Sequence, residues 1–498
     1  MFRAFEAKLR SMDAADFFQH QRWYQHKGEL IRGIEAVDAI ELAEGIALLL
    51  CRFKYDHAQT ALYAIPFDAK RGEIDCSYSE SYLNRLFAGI ATGTKVRGGK
   101  GYIMFESLDG RSESSSGITF EHLDVSSTNT LVCAHTSEGD VLLKMIRRLE
   151  EGTNVEAEVN AYLSSCTNFQ SCPRLLATIR YRGDNGETYH LASAFKFIPR
   201  AQSGWDSTLN YLAEKLSEGA SKGFTGISIA PYVERMKHLG REVAFMHLAM
   251  GGDPAMTSVG TSGSEFVDRE KFQWKNIAKE RATAIQMRVA STFERVMSIV
   301  DAHRNEIEGL DLVVSSRNLL STFIDRIPET LQKFGVATRQ HGDFHLGQFM
   351  IADEKVYFID FEGEPLRSAK ERSMAMPIVM DVAGMVRSFN YASFAAWFAF
   401  RDQAGARKPD EAALKKARAF CEMWEDETRR AFVDAYLDTL KNTGSIPVPF
   451  EDRKLIDATL AIFVLEKAMY ELEYEVRNRP DWVAIPIGGI TNIIKMMK

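Results

Sequence analysis

The sequence contains few cysteines, and none lies where a metal site would need it. Its 498 residues include 6 cysteines, scattered without a Cys-x-x-Cys pair or a histidine at zinc spacing, which excludes a zinc finger. Because no export signal accompanies these cysteines, we expect reduced thiols, most of them in the core.

An excess of positive charge is also missing. The chain has 61 Lys and Arg against 68 Asp and Glu, a net charge of −7, and its pI is near 6.0. This balance offers no electrostatic footprint for nucleic acid or for an anionic membrane, so neither is expected as a partner.

A long uninterrupted apolar run is absent as well. The nearest approach, residues 378–400, contains Asp381, Arg387 and Asn390, which is typical of a buried or site-lining helix and not of a membrane span. The first residues carry acids where a signal peptide would have its apolar region. We therefore expect a cytoplasmic protein.

A Walker A loop is lacking too. Residues 93–101 come close, but Lys100 is followed by Gly101 where a P-loop has the serine or threonine that binds magnesium. We interpret this stretch as a glycine turn. The chain is too long for one compact core, and a polar, serine-rich tract at 106–117 predicts a first domain boundary there.

What the sequence does contain is a concentration of acids and amides in residues 339–364. His-Gly-Asp (341–343) opens a loop, Gln348 follows Asp343 by five positions, and an apolar run ends at a second acid, Asp360. Protein kinases arrange H-R-D-x-x-x-x-N and a later D-F-G in the same order. This layout predicts a phosphotransferase site.

Phosphoryl transfer explains why these residue types occur at this spacing. It needs a carboxylate to take the proton from the attacking hydroxyl and oxygen ligands to hold Mg²⁺ on the phosphates. We expect Asp343 to be the base, and Gln348 and Asp360 to hold the metal. Gly342 replaces the arginine of H-R-D, and 360–363 reads Asp-Phe-Glu-Gly, so a small-molecule acceptor is favoured over a protein.

Several motifs in order resemble the bacterial maltokinases. They are 341–348 (His-Gly-Asp-Phe-His-Leu-Gly-Gln), 359–365 (Ile-Asp-Phe-Glu-Gly-Glu-Pro), 381–389, 465–471 (Leu-Glu-Lys-Ala-Met-Tyr-Glu) and 474–482. Residues 22–28, Arg-Trp-Tyr-Gln-His-Lys-Gly, are similar to a further motif, although Trp23 is also explained as a core anchor.

The resemblance implies the fold of eukaryotic-like kinases and aminoglycoside phosphotransferases. We therefore expect a bilobal α+β fold with an N-terminal cap subdomain (1–115), a β-rich N-lobe (116–200) and a largely helical C-lobe (201–498). It also implies transfer of phosphate from ATP, with Mg²⁺, to the anomeric hydroxyl of maltose, and a metabolic link to a trehalose synthase and a maltosyltransferase.

The N-lobe pattern indicates how ATP would be held. A hairpin places Lys144 inside an apolar strand, where the phosphate-binding lysine of kinases stands. Its expected partner is Glu156 or Glu158. Helical geometry does not distinguish the two, and the resemblance to maltokinases favours Glu158. The remaining contacts are expected from the loop residues Ser126, Ser127 and Thr128 to phosphate, and from the backbone near Lys196 and Ile198 to adenine.

Helical spacing recurs through the C-terminal half, at 228–250, 265–307, 316–334, 378–402, 409–441 and 452–478. On the last helix, charged and aromatic side chains flank an apolar stripe, a composition that by itself favours a solvated face. The maltokinase resemblance instead implies a sugar site. Its predicted substrate residues are His341, Arg387, Tyr470, Glu471, Tyr474 and Glu475.

Four alternatives remain open from the sequence alone. The acceptor could be another sugar, such as glucosamine, or the chain could be a non-catalytic scaffold that binds nucleotide or glucan. His341 and His345 could be a metal pair, but they precede a strand and not a helix, so we expect His341 to hold the loop by hydrogen bonds. Arg372 and Arg387 could pair structurally with neighbouring acids.

Overall fold

The computed structural model describes residues 1–108, 117–124, 127–258, 267–304, 306–364, 367–402, 409–443 and 446–497. They cluster into two compact units. The first consists mainly of Met1–Cys166 and Pro173–Pro199, and the second of Thr167–Cys172 and most of the described chain from Arg200 onwards. Each unit is described separately.

The first unit is built mainly of antiparallel strands. Its helices are α1 Phe2–Arg10, α2 Ala14–His20, α3 Glu80–Thr92 and α4 Val155–Cys166. Its strands are β1 Gly33–Ala43, β2 Ile46–Lys54, β3 Thr60–Asp68, β4 Glu73–Ile74, β5 Lys95–Arg97, β6 Gly101–Ser107, β7 Thr119–His122, β8 Thr130–Thr136, β9 Gly139–Met145, β10 Arg148–Leu149, β11 Leu175–Gly183 and β12 Thr188–Lys196.

Two sheets organise this unit. A five-stranded sheet contains β1, β2, β3, β4 and β10, and a seven-stranded sheet has the order β5-β6-β11-β12-β9-β8-β7. The predicted hairpin around Lys144 is confirmed as β8 and β9, with Lys144 opposite Leu131 on β8 and Ser193 on β12. Lys144 therefore lies on a central strand of the larger sheet.

The predicted cap and N-lobe share this larger sheet. Strand β6 belongs to the stretch assigned to the cap, yet it pairs with β11 from Gly101 opposite Gly183 to Ser107 opposite Ala177. The predicted boundary itself, at 115–116, lies outside the described residues. The division at 116 remains a prediction.

Only part of the stretch 93–101 is a glycine turn, because Lys95–Arg97 form β5 and the turn is confined to 98–101. It joins β5 to β6, and the backbone nitrogens of Gly99 and Lys100 donate to the Asp38 carboxylate at 2.8 and 3.0 Å. Successive N–H groups of this kind form an anion-binding concavity. Here an acid of the chain itself occupies it.

Trp23 is a core anchor in the first unit. Its side chain is buried, and its indole nitrogen donates to Asp75 at 2.7 Å. The Arg147 guanidinium lies over the ring, 4.1 Å from its centre, and also pairs with Asp75 at 2.8 Å. A buried arginine of this kind needs such partners to offset its lost hydration.

The second unit is largely helical. Its helices are α5 Gly204–Lys222, α6 Ala230–Met250, α7 Lys279–His303, α8 Leu310–Ser315, α9 Arg317–Asp325, α10 Ile327–Phe334, α11 Ala369–Arg372, α12 Val379–Arg401, α13 Glu411–Thr443, α14 Arg453–Asn478 and α15 Ala484–Met497. Its strands are β13 Gln202–Ser203, β14 Lys275–Asn276, β15 Val336–Thr338, β16 Phe349–Ala352, β17 Lys355–Phe358 and β18 Met376–Pro377.

Two predicted helices differ from the structure. The helix expected at 265–307 begins only at Lys279, because Lys275–Asn276 pairs as a strand with β15. The helix expected at 316–334 is divided into α9 and α10, and Pro328 stands in the first turn of α10, where its missing N–H does no harm. The other four predicted helices are confirmed within two residues.

Within the described residues, no helix combines the length and the apolarity that a membrane crossing requires. The six cysteines are all free thiols and all buried, as the sequence predicted. Burial raises the pKa of the Cys133 thiol to about 11, so this thiol is protonated at neutral pH.

Candidate active site

The loop that carries Asp343 is held by one buried carboxylate. Asp381, on α12, accepts hydrogen bonds from the backbone nitrogens of His341 and Gly342, both at 2.9 Å. Gly342 has φ +88°, and a Cβ there would lie 3.0 Å from the Cα of Gly363. Glycine is therefore required at the position where H-R-D kinases have arginine.

Asp381 also contacts His247, a buried histidine on α6. Its carboxylate contacts His247 Nε2 at 3.1 Å, and His247 Nδ1 contacts the Tyr436 hydroxyl at 2.8 Å. Burial opposes ionisation of Asp381, but the hydrogen bonds from His247 and Gly342 outweigh it and lower the pKa of Asp381. The carboxylate is thus charged when it holds the loop.

The two loop histidines are engaged in local contacts. His341 is buried, and its Nε2 donates to the carbonyl oxygen of Ile359 at 2.8 Å. His345 Nδ1 accepts from the Gly347 nitrogen at 3.0 Å, and burial lowers the pKa of His345. These contacts favour the loop-holding role for His341 over both a metal pair and direct contact with a substrate.

Asp343 faces a lysine that the sequence analysis did not single out. Lys467 Nζ, on α14, lies 3.2 Å from Asp343 Oδ1, and both side chains are 27% exposed. Burial alone would lower the pKa of Lys467, but Asp343, Glu364 and Glu471 together outweigh it and the pKa is raised. A signal was present, because Lys467 stands one turn before Glu471 on the helix predicted to shape the sugar site.

The predicted metal ligands lie together at one end of a hairpin. The Gln348 carbonyl accepts from the Ile359 nitrogen at 3.0 Å, which places Gln348 near Asp360 at the end of the β16–β17 hairpin opposite its turn. Asp360 has a positive φ of 59°, a conformation rarely adopted outside glycine. A carboxylate and a side-chain amide supply the oxygen ligands that Mg²⁺ prefers, so these residues fit the metal.

Arg387 and Glu471 form a buried ion pair between α12 and α14. The Arg387 guanidinium donates to Glu471 Oε2 at 2.9 and 2.5 Å and to Asn390 Oδ1 at 3.1 Å. Asn390 in turn donates to Glu425 at 2.9 Å. Burial raises the pKa of Glu471 in spite of Arg387.

Arg372, the other arginine expected to pair with a neighbouring acid, donates to the backbone carbonyl of Glu362 at 3.0 Å.

The other predicted sugar contacts differ in accessibility. Tyr470 and Tyr474, one turn apart on α14, are 43% and 44% exposed, and are open to a ligand. Glu475 is fully buried and accepts from the Tyr391 hydroxyl at 3.0 Å and from Arg479 at 2.8 and 2.6 Å. The structure therefore gives Glu475 internal partners.

In the first unit, Lys144 forms the expected ion pair, with Glu156 as its partner. Lys144 Nζ lies 2.9 Å from Glu156, and both side chains are buried. Of the two glutamates that helical geometry left open, Glu156 therefore pairs with Lys144, and a contact of Lys144 with Glu158, which the resemblance favours, stays a prediction. The side chain of Asn154 accepts from the Ala157 nitrogen at 2.9 Å and so caps α4, which leaves Glu156 in the first turn, opposite β9.

The remaining nucleotide residues are only partly described. Ser126 lies outside the described residues, and Ser127 Oγ accepts from the Asn129 nitrogen at 3.0 Å, as in a serine turn. The nitrogens of Lys196 and Phe197 donate to backbone carbonyls at 2.9 Å. The adenine contacts expected near Lys196 and Ile198 stay a prediction, and so do contacts of Thr128 with phosphate.

Comparison with known proteins finds relatives that are named glucosamine kinase. The protein from Streptacidiphilus jiangxiensis is 32% identical over 312 residues, which are 61% of this chain and 58% of that protein. The protein from Mycolicibacterium smegmatis is 24% identical over 71% of this chain and 75% of its own length. No protein-family profile matches the chain.

Solved structures agree over nearly the whole chain. A glucosamine kinase structure covers 97% of this chain and 99% of its own with a TM-score of 0.67 at 18% identity. A complex of glucosamine kinase with glucosamine, ADP and inorganic phosphate matches with a TM-score of 0.63 at the same identity. The chain has the fold of these enzymes, and the predicted α+β, kinase-like fold is confirmed.

Proposed function

We propose that this chain is an ATP-dependent sugar kinase. The observation that carries the proposal is the loop from His341 to Asp343, held rigidly by the ionised Asp381 and opposed by Lys467. Such a loop presents a fixed carboxylate to an acceptor hydroxyl, which is the main protein contribution that phosphoryl transfer needs. The glucosamine kinase relatives support the same reaction class.

In the proposed reaction, Asp343 accepts the proton of the acceptor hydroxyl as the sugar oxygen attacks the γ-phosphorus of ATP. The bond between that phosphorus and the β–γ bridging oxygen breaks, and ADP leaves. Lys144, oriented by Glu156, neutralises phosphate charge. Gln348 and Asp360 would hold Mg²⁺, which supplies further neutralisation of the phosphates when bound.

Glucosamine is the acceptor we propose first. Two relatives carry that name, and the complex with glucosamine and ADP has the same fold. Maltose remains the second candidate, because the motifs at 465–471 and 474–482 resemble maltokinases and the exposed Tyr470 and Tyr474 suit the apolar faces of a sugar.

Release of ADP by the purified chain tests this function. The assay contains Mg²⁺-ATP with glucosamine, N-acetylglucosamine, maltose, glucose, trehalose or no sugar. Turnover with glucosamine but not with its N-acetyl form would show that the free amine is recognised, whereas turnover confined to maltose would restore the maltokinase assignment. Thermal stabilisation by Mg²⁺-ATP without ADP release from any sugar would instead favour a scaffold.

Wider roles depend on the acceptor. A functional link to a trehalose synthase and a maltosyltransferase follows only if maltose is phosphorylated, and the expected cytoplasmic location remains part of the proposal. The absence of a strongly basic surface charge, with a net charge of −7, supports small molecules and not nucleic acid as partners.

A further inference from the structure

Lys467 is a largely buried lysine, and burial of its ammonium group is unfavourable unless an acid pairs with it. It sits in the middle of α14, between the buried Leu465 and Ala468, and its ammonium reaches Asp343 Oδ1 at 3.2 Å. A lysine that is three quarters buried loses much of its hydration, and such groups are retained where they are paired.

Helix α12 approaches the loop closely enough to fix this contact. A Cβ at Gly384 would lie 2.3 Å from the Phe344 carbonyl oxygen and 3.5 Å from Lys467 Cε. The loop residue after Asp343 and the lysine stem thus both pack against the same glycine. This packing limits how far the ammonium and the carboxylate can separate.

The positive charge at Asp343 comes from α14 and not from the loop. Residues 342–348 contain no lysine or arginine, and the pKa of Lys467 is raised by Asp343, with Glu364 and Glu471 adding to the effect. The titratable groups around this pair include His341, His345, Asp360, Glu364, Glu466, Tyr470 and Glu471. Four of these seven are carboxylic acids, and the Lys467 ammonium therefore lies in an acidic cluster, 3.2 Å from Asp343.

We propose that Lys467 is a positioning residue for phosphoryl transfer, which holds Oδ1 of Asp343 so that Oδ2 receives the hydroxyl proton. This inference rests on the proposed function, because it assumes that Asp343 is the base. It extends that function by assigning a role to a residue outside the catalytic loop. The role differs from that of Lys144, which is expected to contact phosphate.

The effects on kcat and KM, measured separately, test the proposal. In Lys467→Met, kcat falls by about tenfold or more at pH 7, because Asp343 Oδ2 loses its alignment with the hydroxyl, while KM for Mg²⁺-ATP stays within about twofold of the wild-type value. Lys467→Arg keeps a cation at Asp343 and retains most of the wild-type kcat. Lys454→Met, an exposed lysine on the same helix, serves as the matched control.

Two outcomes would overturn the role. Either Lys467→Arg is impaired as much as Lys467→Met, as a merely structural defect predicts, or Lys467→Met retains wild-type turnover. Rescue by arginine is the readout that separates positioning from packing, because arginine restores the cation but not the shape of the lysine side chain.

A stability cycle tests the ion pair even if the chain phosphorylates no sugar. Melting temperatures are compared for Lys467→Met, Asp343→Asn and the double variant. An ion pair predicts that the double variant loses less than the two single variants together, because each single change leaves a partly buried charge unpaired. Additive losses would contradict the pair itself, whereas coupling without turnover would contradict only the proposed function.

Discussion

Asp381 is the residue on which the geometry of the candidate site depends. It accepts two backbone N–H groups of the loop and contacts His247. In Asp381→Asn, only one side-chain oxygen remains, and the amide NH₂ group would face a backbone N–H that it cannot satisfy. We expect a loss of about 1–3 kcal/mol in the free energy of unfolding.

The same substitution should affect turnover more than stability. Displacement of Asp343 by a fraction of an ångström removes its alignment with the hydroxyl, so kcat should fall by at least about 100-fold. Asp438→Asn, an exposed acid on α13, is the control and should retain both properties. Wild-type kcat in Asp381→Asn would show that the loop does not need this anchor.

His190 gives the first unit a predicted pH dependence. Its ring is buried on β12, and burial lowers the pKa of His190 from 6.5 to about 3. The unfolded chain therefore binds more protons below pH 6.5 than the folded chain, and stability falls as the pH decreases. The expected slope is about 1.4 kcal/mol per pH unit in that window.

Replacement by a side chain that cannot be protonated isolates this effect. Urea unfolding of the wild type and of His190→Gln is compared between pH 7.5 and pH 5. The variant should be less stable at pH 7.5, because it loses the contact of His190 with Ser193 at 2.8 Å, but it should lose less stability on acidification. Equal slopes for the two proteins would contradict a neutral buried histidine.

At the scale of single residues, the sequence predicted candidate roles for residues that belong to recognisable motifs. The candidate roles of Asp343, Gln348 and Asp360 follow from residue type and spacing alone. The contact of Lys467 with Asp343 and the choice of Glu156 as partner of Lys144 could not be predicted in this way. Each depends on which side chains two distant elements bring together. A helical pattern shows which residues share a face, but not what packs against that face.

Among the elements, α12 approaches the loop closely at Gly384. Gly384 has no room for a side chain, since its Cβ would lie 2.3 Å from the Phe344 carbonyl oxygen. Gly384→Ala should therefore push the helix and the loop apart and cost about 1–3 kcal/mol, although alanine favours helices. Thermal unfolding and kcat should both report the change.

Gly488, unlike Gly384, has room for a side chain. It lies in α15, and a Cβ there would meet no atom within 4 Å. Gly488→Ala should raise stability by up to about 1 kcal/mol through helix propensity. If both substitutions changed the melting temperature in the same direction, the close packing of α12 against the loop would be in doubt.

Element prediction succeeded where periodicity was uninterrupted and failed where pairing with a remote strand decided the structure. Helices α12, α13 and α14 were predicted within two residues, whereas the stretch before Lys279 reads as helix and pairs with β15. Helices α5 and α15 were not predicted. The sheet that joins β6 to β11 also depends on pairs of residues 70 or more positions apart in the chain, such as Ser107 and Ala177.

For the molecule as a whole, the fold could be predicted because several motifs occur in a fixed order. The likeness to glucosamine kinase structures, with a TM-score of 0.67, confirms it. The acceptor could not be derived in the same way, since it depends on side chains such as Tyr470 and Tyr474 whose exposure the sequence does not give. Fold and acceptor are therefore separate questions.

The most direct test of the account is ADP release with Mg²⁺-ATP and glucosamine, measured for the wild type and for Asp343→Asn. We predict turnover by the wild type, a loss of at least about 1,000-fold in the variant, and a melting temperature that shows the variant to be folded. Wild-type turnover in Asp343→Asn would contradict the assignment of the base, and no turnover with any sugar of the panel would contradict the proposed kinase.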